Sequence, residues 1–174
     1  MTEANIRPVS KSSFTHWKKV YLVKIASQKP HTEQLTANSA AVLKCETALE
    51  QKDRGDYEGA QETMRPLWQA VGEWPNTKGL DPAIAAEVLF TVGTLTSWIG
   101  SKSQIEGAQE LAKDILSAAG NYFESVGDVT RIAVARTEIA CCYWLEGELN
   151  EARTMLHEAL EKLTAAGQPE RGRC

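Results

Sequence analysis

Two cysteines stand side by side at Cys141-Cys142, with Cys45 and Cys174 elsewhere in the chain. Thiols bind a soft metal or exchange disulfides only when their spacing brings them to one point. Neighbours on a helix point about 100° apart, and no Cys-x-x-Cys or His-x-x-x-His spacing accompanies this pair. The expectation is therefore small, buried, unreactive side chains. The three histidines, His16, His31 and His157, are scattered. Glu106, Glu110 and Asp114 recur every four residues, so on one helix they would share a face. Such a row can hold a metal or an acid–base pair, but Gln109 and Lys113 beside it read as a solvated surface. No glycine-rich phosphate loop and no Gly-x-Ser-x-Gly turn is present. The reading is a non-enzyme with no metal, no cofactor and no catalytic residue. An enzyme using the carboxylate row with a metal is the rival.

The elements that would carry any site are helical. Leu149, Ala152, Met155, Leu156, Ala159, Leu160 and Leu163 form a stripe at the 3.6-residue period. Ile132, Val134, Ala135, Ile139, Ala140, Tyr143 and Trp144 form another before it, and Gly147 between them permits a left-handed helix end. Asp81-Pro82 predicts a helix start, with Asp capping and Pro in the first turn, that runs to about Gly100. A long helix is expected from about 104 to 126, stopped by Gly127-Asp128. The first pair is expected at about 33–53 and 57–71, followed by a loop at 72–80 containing Trp74-Pro75-Asn76. No window alternates as a half-buried strand does. The result is six helices in three hairpins.

The 174 residues are 43% apolar and 24% charged, the balance of one globular domain. No run of about 18 uncharged apolar residues is present, so no transmembrane helix is expected. The net charge of −4 is uneven. Residues 1–31 carry Arg7, Lys11, Lys18, Lys19, Lys24 and Lys29 against Glu3, a net of +5; the remainder holds 13 basic and 22 acidic side chains, a net of −9. An acidic body repels phosphate backbones, which argues against nucleic-acid binding. The apolar run Val20-Tyr21-Leu22-Val23 is too short for a secretory signal. Residues 1–31 are read as a basic tail or short helix, 32–166 as the helical domain, and 167–174 as a disordered tail. The cysteine pattern is no disulfide framework, so a reducing cytoplasm is expected, with no membrane partner.

Small residues recur at matching places in the three hairpins. Gly147, Leu149, Ala152, Leu156 and Ala159, preceded by Ile139, Ala140 and Tyr143, resemble one complete tetratricopeptide repeat. Ala48, Gly55, Tyr57, Ala60 and Leu67 match in the first unit; Gly93, Gly100, Ala108 and Ala112 match in the second. The resemblance covers about 40–166. Its glycines fall 45 and 47 residues apart, longer than the family's period of about 34. The chain is similar to the N-terminal repeat region of larger bacterial regulatory proteins. Armadillo or HEAT-like hairpins share the longer period.

The resemblance implies an all-α, right-handed superhelix of three hairpins with long helices, whose first helices line a concave groove. It implies a scaffold that binds a peptide or helix of another protein there. Carried over from the family, the groove positions are Cys45, Glu46, Leu49, Lys52 and Asp53; then Phe90, Thr91, Thr94, Ser97 and Trp98; then Thr137, Glu138, Cys141, Trp144 and Leu145. Their mixture of acids and tryptophans suits an amphipathic partner with apolar anchors and basic residues. Only Lys52 could grip a C-terminal carboxylate, so clamping of chain ends is not expected. Two further readings stand beside this one. One is a regulatory or sensor domain enclosing a small ligand or peptide between Phe90, Trp98 and Trp144. The other is a self-associating module, in which the apolar edge of the last hairpin pairs with a second copy.

Overall fold

A computed structural model describes residues 32–166. The expectations for 1–31 and 167–174 lie outside the described residues. The chain divides into two units, Met1–Thr36 and Ala37–Cys174, and the second contains everything below except the first turn of α1. Six helices follow one another: α1 Thr32–Asp53, α2 Tyr57–Met64, α3 Pro82–Lys102, α4 Ala108–Ser125, α5 Val129–Glu146 and α6 Leu149–Ala166. No strand is present among the described residues, so the fold is all-α.

Local chemistry sets most of the boundaries. Asp128 caps α5, its carboxylate accepting the Arg131 N–H at 2.9 Å. Gly147 ends that helix in the left-handed region at φ 87°, where its N–H bonds back to the Trp144 carbonyl. Asp81 sits at the start of α3 but spends its side chain elsewhere. Its carboxylate accepts from Asn38 Nδ2 at 2.7 Å, and Asn38 Oδ1 accepts the Asp81 N–H at 3.1 Å. That reciprocal pair ties α3 to a fully buried residue of α1.

Two boundaries differ from expectation. The second helix stops at Met64 and not near 71. Pro66 has no N–H to continue the ladder, and the Met64 carbonyl accepts from both Leu67 and Trp68 instead. Residues 65–81 then run as an irregular segment pinned by Trp68, 1% exposed, whose indole N–H donates to the Glu73 carbonyl at 3.1 Å. The fourth helix starts at Ala108 and not near 104, after a turn that closes on Gly107 at φ 74°.

The first helices run parallel and in register. From α1 to α3 the contacts step together: Asn38 to Asp81, Cys45 to Thr91, Lys52 to Trp98. From α3 to α5 they step again: Glu87 to Arg131, then Ser97 to Cys142 and Trp98 to Glu138. The hairpin α3–α4 closes through small residues, since a Cβ on Gly93 would lie 2.7 Å from Leu116 Cγ. Strong packing runs α3–α4, α4–α5 and α5–α6. Around Leu116 and Phe123 of α4 gather Ala86 and Phe90 of α3 with Ala135, Ile139 and Cys142 of α5. The helix α3 is long and apolar enough to cross a membrane by composition, a case the sequence reading excluded; 78% of that window is buried inside the fold, which makes it the core helix.

Candidate functional site

Between the parallel first helices lies a seam of polar side chains. Its deepest part joins α3 to α5. Glu87 and the Arg131 guanidinium form an ion pair at about 10% exposure, and the guanidinium stands 4.6 Å from the Phe90 ring centroid and 4.7 Å from that of Phe123. Burial pushes Glu87 up, and the Arg131 charge pulls it back. Beside it the Cys45 thiol is pushed up to about 12 by burial, with the Thr91 hydroxyl opposing. This is a protonated, structural thiol and not a nucleophile. Neither Glu87 nor Arg131 was a candidate from sequence, yet both carry a signal. Glu87 is a lone charge among apolar residues, Arg131 opens an apolar stretch one turn after Asp128, and the two stand 44 positions apart, close to the repeat.

The shallower part brings together five of the expected groove residues from three helices: Lys52 and Asp53 of α1, Trp98 of α3, and Glu138 and Cys141 of α5. The Lys52 ammonium lies 5.9 Å from the Trp98 ring centroid and 3.0 Å from Asp53 Oδ1. Glu138 is raised by burial, while Lys52 and the neighbouring Trp98 indole favour its charged form. The indole N–H itself is buried and has no partner in hydrogen-bond geometry. Cys141, raised by burial and then by Glu138, is half-buried. Asp53 is 72% exposed at its side chain, so the rim of this cluster is acidic.

The other expected positions divide. On α5, the expected Thr137 and Trp144 share one face with Cys141 and with Val134, which was not among the expected positions, at spacings of three, four and three, and Trp144 is 55% exposed. Glu46 and Leu145 are half-buried. Leu49 packs against the main apolar cluster. Phe90, Thr91 and Thr94, expected on the groove, are instead 4%, 0% and 1% exposed. They lie inside because α3 is covered by α1, α4 and α5 together, so it has no free face at that level. Ser97 is also buried; its hydroxyl donates to Gln109 Oε1 at 2.8 Å. A ligand enclosed between Phe90, Trp98 and Trp144 is therefore not what the geometry offers.

The carboxylate row does not form. Glu106 sits in the turn before α4, and Glu110 pairs with Lys113 at 2.8 Å. Burial pulls the Lys113 ammonium down, but its bonds to Glu110 and Glu146 leave it above the usual lysine range. Cys142 is fully buried and pushed up to about 11 by burial. Among the described residues no three of His, Cys, Asp and Glu are grouped to hold a metal. His157 is exposed, 3.3 Å from Glu161 on its own helix. No family model, curated protein or solved structure matches the chain.

Proposed function

We propose that the chain is a protein-interaction scaffold of the tetratricopeptide type, a right-handed stack of three hairpins that binds a peptide or helix along the face of α1, α3 and α5. The observation that carries this is Trp144, a large aromatic left 55% exposed on the same α5 face as Thr137 and Cys141. An exposed tryptophan supplies a rigid apolar anchor, the usual energetic centre of an interface. Asp53 and Glu138 lie on the same side, so the partner segment is expected to carry an apolar anchor with lysine or arginine near it. No catalytic step belongs to this reading. Cys45, Cys141 and Cys142 are free thiols, and the reading takes the compartment to be a reducing cytoplasm.

A peptide array varying apolar and basic content, read by binding to the full chain, tests it. Binders should combine both features, and Trp144→Ala should weaken them tenfold or more while leaving the helical circular dichroism unchanged. Affinities indifferent to Trp144→Ala for every binder would remove the proposal.

A further inference from the structure

Three polar atoms along α3 are buried without a partner in hydrogen-bond geometry: the Thr91 and Thr94 hydroxyls and the Trp98 indole N–H. Spaced by three and four residues, they share one face of the helix with Glu87. Each costs free energy that water or a polar ligand would relieve. On one side this row is covered by α1. Cys45 meets Thr91 and Lys52 meets Trp98, in both cases 46 residues on. The same offset sets Ala41 against Glu87 and Ala48 against Thr94.

The two neighbours of α3 are held to it differently. On the α5 side the Glu87–Arg131 pair lies against the rings of Phe90 and Phe123, and Ala135, Ile139 and Cys142 join the main apolar cluster. On the α1 side the buried residues are small, Ala41, Cys45 and Ala48, and they face hydroxyls. Leu49 reaches the main cluster only partly buried. The ties at the two ends are polar: Asn38 with Asp81, and Lys52 over the Trp98 ring. Toward α2 the bonds are polar as well, from Lys44 to the Thr63 carbonyl and from the Thr63 hydroxyl to Gln51. Buried large apolar side chains are what resist local opening, and α1 contributes few.

We infer that α1, from Asn38 to Asp53, is a strap that lifts off α3 as a unit, turning at Gly55, while α3 to α6 stay folded. Gly55 supplies the joint, exposed and at φ 79° with no atom near its Cβ position. Lifting breaks the two end ties and a contact of small residues, and it lets water reach the row on α3. The opened form offers Thr91, Thr94 and Trp98 to a partner segment, whose backbone N–H and carbonyl groups can complete them. That use rests on the proposed function; the opening does not.

Thiol labelling of the full chain in native buffer tests the opening without any partner. In a Cys141→Ser/Cys174→Ser background two thiols remain: Cys45 under α1, and Cys142 inside the cluster of α3, α4 and α5. Each rate with N-ethylmaleimide is divided by the rate of the same thiol in denaturing urea. Cys45 should react about tenfold faster than Cys142, and its rate should rise weakly across low urea while that of Cys142 climbs steeply, since global unfolding exposes more surface. Asp128→Ala weakens α5, which stays folded when the strap lifts, so it should speed Cys142 about fivefold and leave Cys45 unchanged. Equal corrected rates, or the same acceleration of both thiols by Asp128→Ala, would mean that Cys45 is reached only through global unfolding and would overturn the inference.

Discussion

Gly93 and Gly120 are both helical glycines, and exchanging each for alanine separates close packing from intrinsic helix preference. Removing a glycine from a helix interior stabilises by about 0.5–1 kcal/mol when nothing stands in the way. At Gly120 that condition holds, since the nearest atom to an added Cβ is the Ala135 methyl at 4.0 Å. At Gly93 it does not. An added Cβ would lie 2.7 Å from Leu116 Cγ, 3.0 Å from its Cδ2 and 3.2 Å from its backbone nitrogen. Carbon pairs are at ease near 3.5–4.0 Å, and a backbone atom cannot turn aside as a side chain can. Overpacking of this kind costs about 1–3 kcal/mol, so Gly93→Ala should be destabilised by about 1–2 kcal/mol after the propensity gain. For a chain of this length, 1 kcal/mol corresponds to about 2–4 °C in Tm. Thermal unfolding followed by circular dichroism should therefore move Gly93→Ala down by several degrees and Gly120→Ala up by a few. Equal shifts, or a more stable Gly93→Ala, would refute the claim that α3 and α4 touch through a position only glycine fits.

Other residues give further tests. Arg131→Met should destabilise by about 3–5 kcal/mol, because Glu87 is left as an uncompensated buried charge; adding Glu87→Gln should recover much of it, and urea denaturation reads both. Asp128→Ala removes the cap on α5 and should cost about 1 kcal/mol by the same assay. The Cys45 thiol is raised from its ordinary 9.0 to about 12, so the folded state keeps a proton that the unfolded chain releases. That contribution is full below pH 9 and is lost as pH rises toward 12. At about 1.36 kcal/mol per pH unit, the wild type should lose about 2 kcal/mol more than Cys45→Ala between pH 9 and 10.5. Parallel losses would contradict the assignment.

The sequence carried the hairpins because their punctuation is local. Asp128 caps and Gly147 reverses the chain whatever lies far away, and both act where their types predict. The short α2 was also signalled, by Pro66, but Leu67 and Trp68 beyond it continue the apolar pattern and hide the break. The seam was harder to see. Phe90, Thr91 and Thr94 fall on the family's groove positions, yet the 14 residues from Val88 to Ser101 carry no charge. A helix apolar all round is buried all round, so the threonines belong to packing. Glu87 and Arg131 acquire meaning only in pairs, across helices whose register no single stretch contains. Trp98, Glu138 and Lys52 were named only by carrying over the groove positions of the family the chain resembles; that they stand together depends on parallel helices being in step.

The parallel register of α1 and α3 underlies the seam, the candidate face and the proposed scaffold alike. Spin labels at Asp53 and Lys102, exposed sites at the C-terminal ends of those helices, measure it directly by pulsed electron resonance. With axes 8–10 Å apart and ends together, the separation should fall below about 20 Å, label arms included. A separation of about 30 Å or more, the length of a helix of some twenty residues, would place the ends apart and contradict the arrangement.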